Sequence, residues 1–146
     1  MSIEEFINEQ FSERYKHFII YGPPKLGKTK LGKRIAASMN GKYLDLLALF
    51  LANDELTAQI DIFGPQRLIE LIQNEADSFI VIDQVDFLLN TWDDTQFREL
   101  MVFVDQNQTK TCCAIIMHTY RLLEKEDMIK PNDKGHARLL NIYNIQ

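Results

Sequence analysis

Hydrophobic residues recur along the chain with two different spacings, and these spacings predict helices that alternate with strands. Helical spacing near the start predicts an amphipathic helix over residues 2–15, which begins at the capping-box pair Ser2 and Glu5. Short runs without polar residues instead predict strands buried on both faces, at residues 17–21, 79–82 and 112–117.

The segments between these runs predict further helices and two weaker strands. Helices are predicted over residues 28–39, from Gly64-Pro65 onward and from Asp93-Asp94 onward. Additional strands are predicted at about 42–47 and 139–145, whereas 46–62 is ambiguous because its apolar residues fill more than one helical face. Strands that alternate with helices are typical of a parallel sheet covered on both faces, so the predicted fold class is α/β.

Composition predicts a single domain without a membrane segment. The 146 residues, 46% of them hydrophobic, suffice for one core, with an N-terminal helix over 1–16 and a core over 17–146. The net charge of -5 provides no overall positive field for nucleic acid. The longest apolar run, 46–52, is far shorter than the about 20 residues that span a bilayer. With no signal-peptide pattern at the N-terminus, we expect a soluble cytoplasmic protein that contacts no membrane.

A phosphate-binding loop is predicted directly after the first apolar strand. The run Gly22-Pro23-Pro24-Lys25-Leu26-Gly27-Lys28-Thr29 matches G-x-x-x-x-G-K-[ST]. Its glycines leave room for a phosphate, and the main-chain amides between Tyr21 and Lys30 can form an anion cradle at the start of the next helix. Lys28 can reach the β- and γ-phosphates, and the Thr29 hydroxyl can bind Mg²⁺. The predicted ligand is therefore a nucleotide, with ATP and Mg²⁺ as cofactors.

Lys25 stands where many loops of this kind carry a third glycine. If the position requires a positive φ, lysine destabilises the loop by roughly 1 kcal/mol. Lys25 can instead add positive charge near the phosphates, or be an ordinary solvated loop residue.

The second half of the site is predicted where the strand 79–82 ends. Asp83 can hold Mg²⁺ through the water shell of the ion. Many related ATPases place glutamate next, to orient the attacking water, whereas this chain has Gln84, whose amide cannot accept a proton. Asp86 is either a substitute base or the cap of a short helix. Slow hydrolysis is the expected consequence.

Polar residues that follow the third strand are candidates for contact with the γ-phosphate. His118 and Thr119 come directly after residues 112–117, and ligands of this fold class lie outside the carboxyl ends of the strands. Either side chain can sense the γ-phosphate or orient water, and an inert loop role is equally open. Three arginines are candidates for a finger that acts on the nucleotide of a neighbouring subunit: Arg98, Arg121 and Arg138.

Other conspicuous residues favour structural roles. Cys112 and Cys113 are adjacent and fit no zinc-ligand spacing, so we expect small apolar residues in a buried strand. Trp92 is expected to pack at a helix start, with a partner contact as the alternative. A locally basic group surrounds the loop: Lys25, Lys28, Lys30, Lys33, Arg34 and Lys42. Lys28 is assigned to phosphate, and the others predict a solvated face, with nucleic-acid contact left open.

Three segments resemble the AAA+ and related P-loop ATPases: GPPKLGKT (22–29), FIVID continuing as QVDFLL (79–89) and CCAIIMHT (112–119). The resemblance covers most of residues 17–120. It implies a three-layer core with a mostly parallel five-stranded sheet, in which the polar-ended strand separates the acidic strand from the loop strand. A full member adds a small helical lid with a further arginine, and this chain is too short for that lid domain.

The chain also resembles, more narrowly, the small P-loop protein of bacteriophage-exclusion systems (BREX, BrxF-like), in its size, its core and its opening helix. That resemblance implies a bacterial defence component that works with larger protein partners able to recognise or modify DNA.

The function that these observations favour is an ATP-binding assembly switch with weak or partner-activated hydrolysis, as a homo-oligomer or with other proteins. The alternatives are a small-molecule kinase and an interaction module that does not hydrolyse ATP. A GTPase is disfavoured because the chain has no Asn-Lys-x-Asp element for guanine.

Overall fold

The predicted sheet is present, with five strands that are all parallel. A computed structural model describes residues 1–119 and 121–145. The strands are β1 Phe18–Tyr21, β2 Lys42–Asp45, β3 Phe79–Asp83, β4 Cys112–Met117 and β5 Leu139–Asn141. Their order is β2-β3-β4-β1-β5. As the resemblance implied, β4 separates the acidic strand β3 from the loop strand β1.

Eight helices connect and cover these strands within the described ranges. They are α1 Ile3–Gln10, α2 Lys28–Ser38, α3 Leu46–Leu51, α4 Asp54–Ala58, α5 Pro65–Gln73, α6 Asp86–Leu89, α7 Asp94–Gln106 and α8 Arg121–Lys125. The ambiguous stretch 46–62 forms α3, α4 and a 3-10 turn at Ile60–Ile62, and the predicted last strand stops at Asn141, where a 3-10 turn at Ile142–Asn144 follows.

Two apolar clusters place the sheet between two helical layers. Ile19 of β1 belongs to the cluster under α3, α5, α6 and α7, whereas its neighbours Phe18 and Ile20 face α1 and α2. Because side chains alternate along a strand, each central strand must be apolar on both faces, and β3 and β4 are buried throughout. The predicted three-layer α/β fold is confirmed.

The N-terminal helix is shorter than the predicted 2–15. Ser2 and Glu5 form the expected capping box, but α1 ends at Gln10, whose side-chain amide donates to the Lys16 carbonyl at 2.9 Å. That bond holds the reversal by which the chain enters β1. The Phe6 ring packs edge-on against Phe18 with centroids 5.2 Å apart, so α1 lies on the protein's own sheet.

Two side chains singled out from the sequence have packing roles. Trp92 is buried, and its indole N–H donates to the Phe63 carbonyl at 2.9 Å, which supports the packing interpretation. Cys112 and Cys113 are buried free thiols of β4, and burial raises the pKa of both well above the usual range. Within residues 1–119 and 121–145, no helix is long and apolar enough to cross a bilayer.

Candidate functional site

The loop between β1 and α2 requires its two fixed glycines for different reasons. Gly27 precedes the first residue of α2 with φ +81°, a left-handed conformation that favours glycine, and open space surrounds the place of a β-carbon. A β-carbon on Gly22 would instead overlap the Ile142 side chain. Gly27 therefore leaves space for a ligand, as expected, whereas Gly22 is required by packing against the segment after β5.

Lys25 has the positive φ that its position suggested. Its φ of 68° lies in the left-handed region, and its side chain is exposed. The third-glycine position of this loop therefore requires a left-handed conformation, and a lysine there is strained by roughly 1 kcal/mol.

The Lys28 side chain is buried against the loop itself and lies outside the two apolar clusters. Its ammonium donates to the Gly22 carbonyl at 2.7 Å and to the Pro23 carbonyl, and the residue is only 6% exposed. Burial lowers the pKa of Lys28, and the negative charges of Asp86 and Asp83 oppose that shift. The two carbonyl oxygens hold the ammonium in the loop, where oxygens of an anionic ligand are suitable partners.

The Asp83 carboxylate lies at the end of β3 and accepts three hydrogen bonds. The hydroxyls of Thr29 and Tyr43 donate to Oδ2 at 2.7 and 2.6 Å, and the Gln84 backbone N–H donates to Oδ1 at 2.8 Å. The fold thus brings the predicted pair Thr29 and Asp83 into direct contact, although 54 residues separate them along the chain. Asp83 is 4% exposed, so these donors replace most of its hydration.

Tyr43 is the site residue that sequence reasoning missed. It lies on β2, and its hydroxyl reaches Asp83 because β2 pairs with β3 in the sheet. In the sequence, Tyr43 is a tyrosine in a predicted strand, with nothing to connect it to Asp83. The connection can be recognised only when the strand order places β2 beside β3.

Gln84 also has a left-handed backbone, with φ 59°. Its side-chain amide donates to the Thr29 hydroxyl oxygen at 3.2 Å. Gln84 therefore contacts both Thr29 and Asp83, and its side-chain amide presents a donor to the Thr29 hydroxyl.

Asp86 contacts the end of β4. It begins α6, but its Oδ1 accepts from the His118 backbone N–H at 2.9 Å, and its Oδ2 lies 3.7 Å from the His118 Nε2. The Asp86 side chain therefore does not cap α6 but connects that helix to the end of β4. Thr119 follows His118 on the exposed side of the loop. Roles in catalysis for Asp86 and Thr119 stay predictions.

These residues border one cleft, with a volume of about 360 Å³. Its walls come from the loop, the start of α2 and the ends of β3 and β4: Pro24, Lys25, Gly27, Lys28, Thr29, Asp83, Gln84, Asp86, Ile116 and His118. Larger cavities of about 510 and 470 Å³ lie beside α1 and beside Arg138, away from this chemistry.

The oxygen donors of the cleft fit a magnesium ion that is shared with a ligand. A hydroxyl and a carboxylate are hard donors, and Mg²⁺ prefers one or two such groups together with phosphates and water. In the described part of the chain, no group of three or more His, Cys, Asp or Glu side chains forms a metal cage. The donor set therefore suits Mg²⁺ that arrives with a phosphate ligand.

One of the three candidate finger arginines is excluded by its environment. Arg138 is 2% exposed, and its guanidinium binds the Asp105 carboxylate at 2.9 Å and the His17 carbonyl at 3.1 Å. It cannot reach a neighbouring subunit. Arg98 forms an ion pair with Glu126 at 2.6 Å, and the side chain of Arg121 lies outside the described residues, so both stay predictions.

Comparison with known families agrees with the fold and the loop. The model of the ATPase family associated with various cellular activities (AAA) matches residues 18–141. The chain belongs to the AAA family. This membership implies ATP as the ligand, with Mg²⁺ typical, and confirms the resemblance drawn from the three motifs. The narrower resemblance to bacteriophage-exclusion proteins stays a prediction.

The curated AAA relatives are much longer proteins. A Lon protease of Clostridium beijerinckii is 33% identical over 104 residues, which are 64% of this chain and 12% of the protease. A replication factor C large subunit of Methanothrix thermoacetophila is 32% identical over 80 residues, 53% of this chain and 16% of the subunit. The matched segments thus span less than a fifth of these relatives.

Solved AAA structures are similar over most of the chain. The FIGL-1 AAA domain in complex with ADP aligns with a TM-score of 0.44 and 19% identity, covering 88% of this chain and 43% of that domain. The structure of C. elegans PCH-2 aligns with a TM-score of 0.43 and 17% identity, covering 95% and 38%.

Proposed function

We propose that the protein binds Mg²⁺·ATP in the cleft and acts as a nucleotide-dependent assembly switch with weak or partner-activated hydrolysis. The contact of 2.7 Å between the Thr29 hydroxyl and the Asp83 carboxylate carries the proposal, because it joins the phosphate-binding loop to the acidic strand. Lys28 lies beside them, with its ammonium held at the mouth of the loop.

Each part of the loop has a distinct role in this proposal. The backbone of residues 22–30 surrounds the phosphates, and the first N–H groups of α2 lack partners within the helix and are available to an anion. Lys28 neutralises the β- and γ-phosphates. Thr29 would hold Mg²⁺ through its hydroxyl and Asp83 through the water shell of the ion, and the bound ion would neutralise negative charge on the phosphates.

Slow intrinsic hydrolysis follows from the residues that face the γ-phosphate side. Gln84 cannot accept a proton from water. Asp86 borders the same cleft, and its carboxylate could accept a proton, but it already accepts a hydrogen bond from the His118 backbone N–H. Thr119 can orient water but is no base. A partner is therefore expected to complete the site, through an arginine of another subunit or a second protein.

The partners that we propose are the larger proteins of a bacteriophage-exclusion system. The support is the resemblance of the whole 146-residue pattern, together with the docking of α1 on the same core that carries the loop. In cells that carry such a system, replacing the gene by its Lys28→Ala variant should abolish the block on phage plating. Retained protection would contradict this part of the proposal.

Calorimetric titration with ADP and ATP in the presence of Mg²⁺ tests the binding proposal. The wild-type protein should bind both nucleotides, and Lys28→Ala should lose at least about 10-fold in affinity because a charge-assisted contact to phosphate is removed. Lys110→Ala, at an exposed lysine before β4, is the matched control and should bind like the wild type.

The same samples test the switch. Phosphate release should be slow without partners, with or without DNA. Brisk turnover that Gln84→Ala abolishes would contradict the proposal, because Gln84 would then be catalytic. Phosphate transfer to a small molecule would support the kinase alternative instead. Unfolding of Lys28→Ala in the absence of ATP would contradict its assignment to the ligand.

A further inference from the structure

Tyr43 places a hydroxyl on Asp83 from outside the loop that the motif defines. Tyr43 pairs with Val81 in the register of β2 and β3, two positions before the pair Asp45 and Asp83. Its side chain therefore runs along the sheet toward the carboxyl end of β3, where the hydroxyl donates to Asp83 Oδ2 at 2.6 Å.

The Tyr43 ring is held in this place by α2. A β-carbon on Gly32 of α2 would lie 3.4 Å from the ring atom Cε2 of Tyr43, which is van der Waals contact, so the helix backbone lies next to the ring. The Lys33 ammonium lies 5.6 Å from the ring centroid, a cation–π distance. The ring is half-buried, and its direction is set by packing.

The hydrogen bond between Tyr43 and Asp83 has a fixed direction. A phenol hydroxyl can donate and an ionised carboxylate only accepts, so Tyr43 is the donor and Asp83 Oδ2 the acceptor.

The two hydroxyls that donate to Asp83 Oδ2 have different expected roles in a magnesium site. Thr29 belongs to the loop motif and is the expected Mg²⁺ ligand, whereas Tyr43 belongs to β2, the edge strand beside β3. The terminal torsion of an aspartate is broad, so each donor on the carboxylate restrains its rotation, and Tyr43 adds a third restraint to those from Thr29 and the Gln84 N–H. Groups that orient metal-binding carboxylates in this manner contribute to metal affinity.

We propose that Tyr43 is a positioning residue of the magnesium site, whose hydroxyl fixes the orientation of the Asp83 carboxylate toward the hydrated ion. This inference rests on the proposed function, since it presumes nucleotide in the cleft. Its consequence is specific: Tyr43 acts on the Mg²⁺-dependent part of nucleotide binding and leaves the phosphate contacts of the loop unchanged.

The test compares ADP affinity in excess EDTA and in excess Mg²⁺ for the wild type, Tyr43→Phe and the control Tyr143→Phe, whose hydroxyl belongs to an exposed residue. The ratio of the two dissociation constants measures the contribution of Mg²⁺. Tyr43→Phe should reduce that ratio by about 10-fold, with its affinity in EDTA unchanged. Tyr143→Phe should change neither value.

Each result decides the matter. An unchanged ratio in folded Tyr43→Phe overturns the role of Tyr43, and an equal loss in EDTA and Mg²⁺ also overturns it, because it indicates a purely structural role. A wild type that binds no nucleotide overturns the proposed function together with this inference. Should circular dichroism show Tyr43→Phe unfolded, Tyr43→Met, which has a smaller apolar side chain without a hydroxyl, is measured in its place.

Discussion

The side-chain amide of Gln84 donates a hydrogen bond to the Thr29 hydroxyl oxygen across 3.2 Å, while that hydroxyl donates to Asp83. Gln84 thus occupies a lone pair on the atom that is the expected metal ligand. A glutamate at the same place could not donate, and it could accept a proton from water. The identity of this one residue therefore affects both metal access and hydrolysis.

Replacing Gln84 by glutamate should raise ATP hydrolysis, on the order of 100-fold, which is the lower end of what a positioned general base contributes. Phosphate release at saturating Mg²⁺·ATP measures the rate. Gln84→Asn keeps an amide, tolerates the left-handed backbone, and should give no increase. An unchanged rate in Gln84→Glu would show that position 84 is not limiting and would direct attention to Asp86 or to a missing arginine.

Replacing Lys25 by glycine should stabilise the protein by up to about 1 kcal/mol, because glycine adopts the observed φ of 68° without a β-carbon clash. Urea unfolding followed by circular dichroism gives the free energy. The contrasting variant is Glu99→Gly, at an exposed position inside α7, which should lower stability by about 1 kcal/mol. A loss of stability in Lys25→Gly would mean that the lysine side chain itself stabilises the loop.

His17 should make the protein less stable as the pH falls below neutral. Burial lowers the pKa of His17 to about 4, and the positive charges of Arg138 and Lys16 act in the same direction. In an unfolded chain the pKa is about 6.5, so between these values the unfolded chain holds a proton that the folded protein does not. The free energy of unfolding should thus fall from pH 6.5 to 4, by up to about 3 kcal/mol.

Unfolding measured at several pH values in His17→Gln is the comparison for this prediction. The Nδ1 of His17 accepts from the Cys113 backbone N–H at 3.1 Å, and a glutamine oxygen is able to accept as well. In His17→Gln, the free energy of unfolding should fall less steeply from pH 6.5 to 4, because the contribution of His17 is absent. Parallel curves for the two proteins would disprove the assignment.

Replacing Arg138 by alanine should destabilise the fold by about 3–5 kcal/mol, since it leaves the buried Asp105 carboxylate without its partner. Chemical denaturation measures this loss directly. Arg98→Ala removes a partly exposed ion pair with Glu126 and should lower the free energy of unfolding far less than Arg138→Ala. Substitution of a finger arginine would instead abolish hydrolysis and leave stability unchanged. That result in Arg138→Ala would refute the structural role of Arg138.

Features that are local in the chain were predictable. The strand, loop and helix from β1 to α2 are contiguous, so the spacing of glycine, lysine and threonine identifies them without knowledge of the rest of the fold. The apolar runs of β3 and β4 are equally clear, because a strand buried on both faces contains no polar residue. The stretch 46–62 was ambiguous because short helices with several apolar faces have no single period.

Features that depend on which strands are neighbours were decided only by the tertiary structure. The sequence determined that a nucleotide loop and an acidic strand exist, and that the chain is α/β. It could not place Tyr43 on Asp83 or bury Arg138 against Asp105, because each of these contacts joins segments that are far apart in the chain. Local spacing encodes backbone shape, whereas the partners of a polar side chain follow from strand order and burial.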